Sequence, residues 1–300
     1  MLWLAVTASP LLTRAARAAG APAPTGAAAF QELTLDVPAD GGSQKALVLI
    51  PEHLDPAARH PLVVLLHGYS QARSTARALH AWQREYAIET AYARLRAPPI
   101  RRTDESLRFL SDRRIDELDA TLAERPFQGL VLACPVTPIP YFVRRAAPLF
   151  QRYADWIDGA LLPAVRAVAP VSHEAAATGI AGHSMGGQVA LEVLSRKPAS
   201  FAALSGLQMA IEPRQASGYA RRLAEAFAST APPALQIQTT TRDLYRDANR
   251  ALGRALAERG IVSELHVPFG THTAGWVRET GALEALLFFD RALRTGSSAA

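Results

Sequence analysis

Gly182-His183-Ser184-Met185-Gly186-Gly187 is the stretch on which the fold turns. A short apolar run, residues 175–181, precedes it and reads as a buried strand. Residues 188–194 follow and read as a helix with Val189, Val193 and Leu194 inward. A Gly-x-Ser-x-Gly set between strand and helix places its serine on a turn too sharp for bulky neighbours. Gly182 and Gly186 let the two elements approach, and the turn lifts the Ser184 hydroxyl into the open. The helix that begins at Met185 offers backbone N–H groups and a partial positive charge to a developing oxyanion. The bare motif arises by chance in about one random chain of this length in ten. The rest of the chain must therefore supply a base, an acid and a second oxyanion donor.

Working outward, residues 61–66 (Pro-Leu-Val-Val-Leu-Leu) are a continuous apolar run, as expected of a strand buried on both faces. The run ends in His67-Gly68-Tyr69, where a glycine can aim the next N–H inward. Tyr69 and Met185 are thus the expected oxyanion-hole residues, and His67 is expected to hold its loop rather than move a proton. Further strands are expected over 30–37 and 45–50 as an edge hairpin, and over 129–134, 201–210, 234–240 and 261–267. Helical periodicity marks 75–95, 106–122, 153–168, 249–259 and 282–293. Strands alternating with helices predict an α/β fold with a mostly parallel central sheet and helices on both faces.

In such a sheet Tyr69, Ser184, Asp243 and His272 all fall at carboxyl ends of strands, where ligands bind. His272 sits in a loop after the last strand and is the preferred base. His266 lies inside that strand, and the His183 side chain diverges from Ser184 at the turn. Asp243 follows a strand directly and is the preferred acid, with Asp247 as its competitor. The order serine, acid, histidine is that of the α/β-hydrolase fold. The acid would hold the imidazole tautomer and steady the imidazolium.

The carrying residues resemble the esterase D / antigen 85 group of α/β-hydrolases, the "putative esterase" family. They are His67-Gly68, the 182–187 hexapeptide, Arg196-Lys197-Pro198 with Phe201 and Ser205-Gly206, Asp243, and Gly270-Thr271-His272 before Trp276. Family members tend to carry a tryptophan soon after the base. Here Thr273-Ala274-Gly275 stands between His272 and Trp276, so the first tryptophan position is lost. The resemblance covers about 45–70 and 129–295, and implies a serine esterase acting on a small-molecule or polymer-linked ester. An acyltransferase to a sugar or alcohol would use the same triad, and a peptidase is a weaker option. A non-catalytic binding module usually lacks one triad member, and none is missing here. The chemistry needs no metal and no organic cofactor.

The 58 or so residues between the strands at 61–66 and 129–134 exceed a simple crossover. They predict a helical insertion after the third strand, about 71–128, that caps the site. Arg94, Arg96, Arg101 and Arg102 read as a solvated loop there, with attraction of an anionic substrate as the alternative. Residues 1–29 read as a secretory leader and linker, 30–295 as the hydrolase domain and 296–300 as a tail. Export to a periplasmic or extracellular location is the expectation, with the cytoplasm as alternative. The net charge of +5 is almost all arginine, interspersed with acids on helical stretches, which argues against a nucleic-acid partner. No uninterrupted apolar run is long enough for a membrane span. Cys134 is the only cysteine and is expected to be a buried small hydrophobe.

Overall fold

The computed structural model describes residues 29–40, 42–103 and 109–293. The leader and linker expected over 1–29, Ala29 excepted, and the tail at 296–300 lie outside the described residues.

Eight strands form one sheet in the order β1-β2-β4-β3-β5-β6-β7-β8. They are β1 Phe30–Ala39, β2 Gly42–Pro51, β3 Leu62–Leu66, β4 Val131–Pro135, β5 Thr178–His183, β6 Ala203–Leu207, β7 Ala234–Gln238 and β8 Glu264–His266. β1 and β2 form the expected hairpin, β2 also runs antiparallel to β4, and every pairing from β4 to β8 is parallel. Successive residues of β3 go to opposite faces. Leu62, Val64 and Leu66 join one apolar cluster, and Val63 and Leu65 the other. That two-sided burial is why the strand reads as an unbroken apolar run.

The helices are α1 Thr75–Leu79, α2 Ile88–Arg96, α3 Asp112–Glu124, α4 Ala146–Trp156, α5 Leu162–Val168, α6 Met185–Arg196, α7 Pro213–Phe227, α8 Arg246–Ala257, α9 Ala274–Trp276 and α10 Ala282–Ala292. Residues of α4 to α8 line the first cluster, and residues of α1, α2, α3 and α10 line the second. This is an α/β-hydrolase fold with a helical segment after the third strand.

That segment corrects the expectation of a cap. Leu79, Trp82, Tyr86, Tyr92, Leu95, Ile115, Leu118 and Leu122 are all buried in the cluster that covers the sheet. The apolar faces of its described helices are turned to the sheet and α10. The expected single helix over 75–95 is broken by a π-turn at Ala81–Glu85 and by Ala87 in a left-handed conformation (φ 45°). Arg94 is also corrected: it is buried, and its Nη1 donates to the Glu279 carbonyl at 3.0 Å. Arg102 pairs with Asp112 at 2.7 Å. Cys134 is buried as expected, and burial pushes its thiol up.

Candidate active site

Ser184 caps α6 with φ 56° and ψ −117°, a conformation that non-glycine residues rarely adopt. The surrounding backbone holds it there. Ser184 N donates to the Leu207 carbonyl (2.9 Å), and the Ser184 carbonyl accepts from Ala210 N (3.0 Å). A Cβ on Gly186 would lie 2.3 Å from the Leu66 carbonyl oxygen, and one on Gly182 would lie 2.2 Å from the Gly186 backbone. Only glycine lets β3, β5 and α6 meet this closely.

Ser184 Oγ lies 3.0 Å from His272 Nε2, and His272 Nδ1 lies 2.8 Å from Asp243 Oδ1. A carboxylate accepts only, so Nδ1 carries the proton and Nε2 is free to accept from the serine hydroxyl. The acid and base loops are tied together beyond the ends of β7 and β8. Thr241 N donates to the Pro268 carbonyl (3.0 Å) and Arg242 N to the Gly270 carbonyl (2.9 Å). Asp243 is buried, and burial alone would raise its carboxyl. Hydrogen bonds from His272, from Thr239 Oγ1 (2.6 Å) and from Tyr245 N (3.1 Å) outweigh burial and hold it below the usual aspartate range. Asp247 is exposed and pairs with Arg246 at 3.0 Å, and His266 faces Glu264 at 3.5 Å, so neither joins the group.

β3 and β5 are neighbours with Leu66 opposite Gly182. Tyr69 and Met185 each lie three residues past that pair, which brings the two turns side by side. Met185 opens α6, so its N–H has no helical acceptor upstream. His67 holds its loop as expected. Its Nε2 accepts from Thr137 N (2.9 Å), its own N–H donates to Thr137 Oγ1 (3.0 Å), and Nδ1 donates to the Gly68 carbonyl (2.9 Å). Burial lowers its pKa.

Two residues at the site, Tyr86 and Gln208, are not legible as such in the sequence. Tyr86, Gln208 and the buried contacts of His183 form a polar layer behind His272, and the His183 ring stacks on the His272 ring at 5.1 Å. Gln208 could have been found, because it is a polar residue at the carboxyl end of β6, on the same sheet edge. A cavity of about 650 Å³ is lined in part by Arg114, Glu284, His266 and Phe269, and by none of Ser184, Asp243 and His272. Among the described residues no cluster of His, Cys, Asp or Glu could hold a metal ion. No helix among them is long and apolar enough to cross a membrane.

The family described as "Putative esterase" matches residues 142–275, which contain Ser184, Asp243 and His272. The chain resembles this family over that stretch. No curated protein gives a significant match. Solved structures share its fold. A ferulic acid esterase aligns with TM-score 0.64 and 16% identity over 88% of this chain and 98% of its own. An S-formylglutathione hydrolase from Staphylococcus aureus gives 0.61 and 17% over 87% and 98%. A mutant feruloyl esterase module from Clostridium thermocellum, complexed with sinapinate, gives 0.61 and 16% over 91% of each chain.

Proposed function

We propose that this protein is a serine esterase that cleaves carboxylic esters through an acyl-enzyme on Ser184. The observation that carries the reading is the Ser184–His272–Asp243 relay, with contacts of 3.0 and 2.8 Å. His272 Nε2 takes the serine proton as Oγ attacks the acyl carbon. Asp243 holds the imidazolium through Nδ1–H, and the N–H groups of Tyr69 and Met185 receive the oxyanion. His272 then protonates the departing alcohol. Water, deprotonated by the same nitrogen, releases the acid and restores Ser184.

The acyl group in this proposal is aromatic. Tyr69, beside the proposed oxyanion turn, and Tyr141 and Phe142 packed against it are 45%, 46% and 77% exposed, far more than core aromatics. Tyr69 meets Tyr141 edge-on at 5.7 Å and Phe142 at 6.1 Å. A flat acyl group gains stacking area there. The feruloyl esterase neighbours support the same choice. Export remains part of the proposal, supported by the composition of residues 1–29. It is checked by whether those residues direct a fused reporter out of the cytoplasm.

The decisive test is Ser184→Ala on p-nitrophenyl acetate and on a hydroxycinnamate ester. The variant should fold and lose turnover by about a millionfold, and a fluorophosphonate probe should label only the wild type. Substantial residual turnover, or unchanged labelling, would sink the reading. Tyr141→Ala should raise KM for the hydroxycinnamate ester about tenfold and leave acetate turnover near wild type. Equal effects on both esters would remove the aromatic assignment alone.

A further inference from the structure

Behind the Ser184–His272 pair, the buried polar side chains form a connected path that the proposed chemistry does not use. Gln208 follows β6 in a left-handed conformation (φ 47°), and its N–H donates to the Gln238 carbonyl at 2.6 Å. Its side-chain Nε2 donates to the Thr271 carbonyl (2.9 Å) and to Thr240 Oγ1 (3.0 Å). A carbonyl accepts only, so the Thr271 contact fixes the amide's orientation and turns Oε1 toward His183. Oε1 lies 3.2 Å from His183 Nε2, which must therefore carry the proton and leave Nδ1 bare. Tyr86 Oη lies 3.0 Å from that nitrogen and accepts the Gly68 N–H at 3.2 Å. The hydroxyl proton has two acceptors within reach, His183 Nδ1 and Gln71 Oε1 (2.9 Å), and both are buried.

The path therefore runs from Gly68, one residue before the Tyr69 N–H, to Thr271, one residue before His272. The two loops it joins follow β3 and β8, which are separated in the sheet by β5, β6 and β7. No strand pairing joins them directly. We propose that Tyr86 and Gln208 are positioning residues, whose hydrogen bonds through His183 hold the oxyanion turn and the base loop in register across Ser184. The His183 ring, stacked at 28° on the His272 ring, limits the tilt of the base from behind. Misplacing a reacting group by about an ångström can cost a hundredfold in rate, so the register matters to turnover.

The inference rests on the acyl-transfer reading, and the test separates the two. Tyr86→Phe, Gln208→Met, the double variant and Ser184→Ala are compared in the full chain on p-nitrophenyl acetate. Each single variant should lower kcat about tenfold with KM within about twofold. The double variant should lose little more than the worse single one, because both cut one path. In Gln208→Met the far-downfield proton signal of His272 Nδ1–H should broaden or shift. If Ser184→Ala stays active, the acyl-transfer reading falls. If Ser184→Ala is inactive while the other folded variants keep wild-type kcat and only melt earlier, the layer is merely structural and the positioning inference falls. Should Gln208→Met fail to fold, Tyr86→Phe decides alone, since its ring keeps the edge contact with Trp82 at 4.8 Å.

Discussion

Burial sets the charge of His183, and part of the protein's acid stability follows from it, beside that from the likewise buried His67. Burial is the largest influence, and the neighbouring His272 adds to it; together they lower His183 from its ordinary 6.5 to about 3. The folded state therefore refuses a proton that the unfolded chain accepts between those values. Stability from this group is full above about pH 6.5 and is lost progressively as pH falls toward 3. Asp243 acts in the same direction lower down, since its depressed carboxyl contributes above the unfolded value and ceases to as pH falls through the folded one. Urea titrations from pH 7 to pH 4 should show His183→Gln losing much of the wild-type slope, on the order of a few kcal/mol in sum. An unchanged slope would mean that His183 is not the group responsible. At the same scale, Asp243→Asn should lower kcat by about ten-thousandfold while the fold persists. Activity within tenfold of wild type would return the acid role to another carboxylate.

Among the elements, the elbow was the most legible and the helices the least. Glycines 182 and 186 announce a close approach, and the Leu66 carbonyl stands where a methyl group on Gly186 would go. Gly186→Ala should therefore destabilise by about 1–3 kcal/mol or more and weaken fluorophosphonate labelling, checked by urea denaturation. Unaltered stability would show that β3 and α6 have room to separate. α7 was not read from the sequence, although Pro213 at its first turn and a Glu212–Gln215 capping box mark its start. Its inward face is partly alanine, Ala216 and Ala220 beside Tyr219, Leu223 and Phe227, so its apolar period is faint. The helical period of the insertion is legible in the sequence, and its packing as sheet cover is not. Periodicity shows which side of a helix is apolar and says nothing of what that side meets. Tyr86 looked like any core aromatic for the same reason, because its hydroxyl partners come from Gly68, Gln71 and His183.

At the scale of the molecule, the sheet is both a platform and a partition. Parallel pairing from β4 to β8 sends the turns that carry Tyr69, Ser184, Asp243 and His272 to one edge, which is why the alternation of strands and helices and a few strand-end residues pointed to the candidate site. The polar layer was not legible, because it depends on loops meeting across strands that are distant in sequence. The partition has an energetic consequence. Ile237 on β7 belongs to one apolar cluster, and Ile115 on α3 belongs to the other. Neither side chain shares a cluster with the other, so trimming one leaves no cavity that the second can relax into. Ile115→Val and Ile237→Val should each cost about 0.5–1.5 kcal/mol, and the double variant should equal their sum within about 0.5 kcal/mol by urea denaturation. A larger coupling would mean that strain crosses the sheet. The substrate edge would then feel repacking on either face, and the triad's register would depend on the whole core rather than on the loops and the buried path behind it.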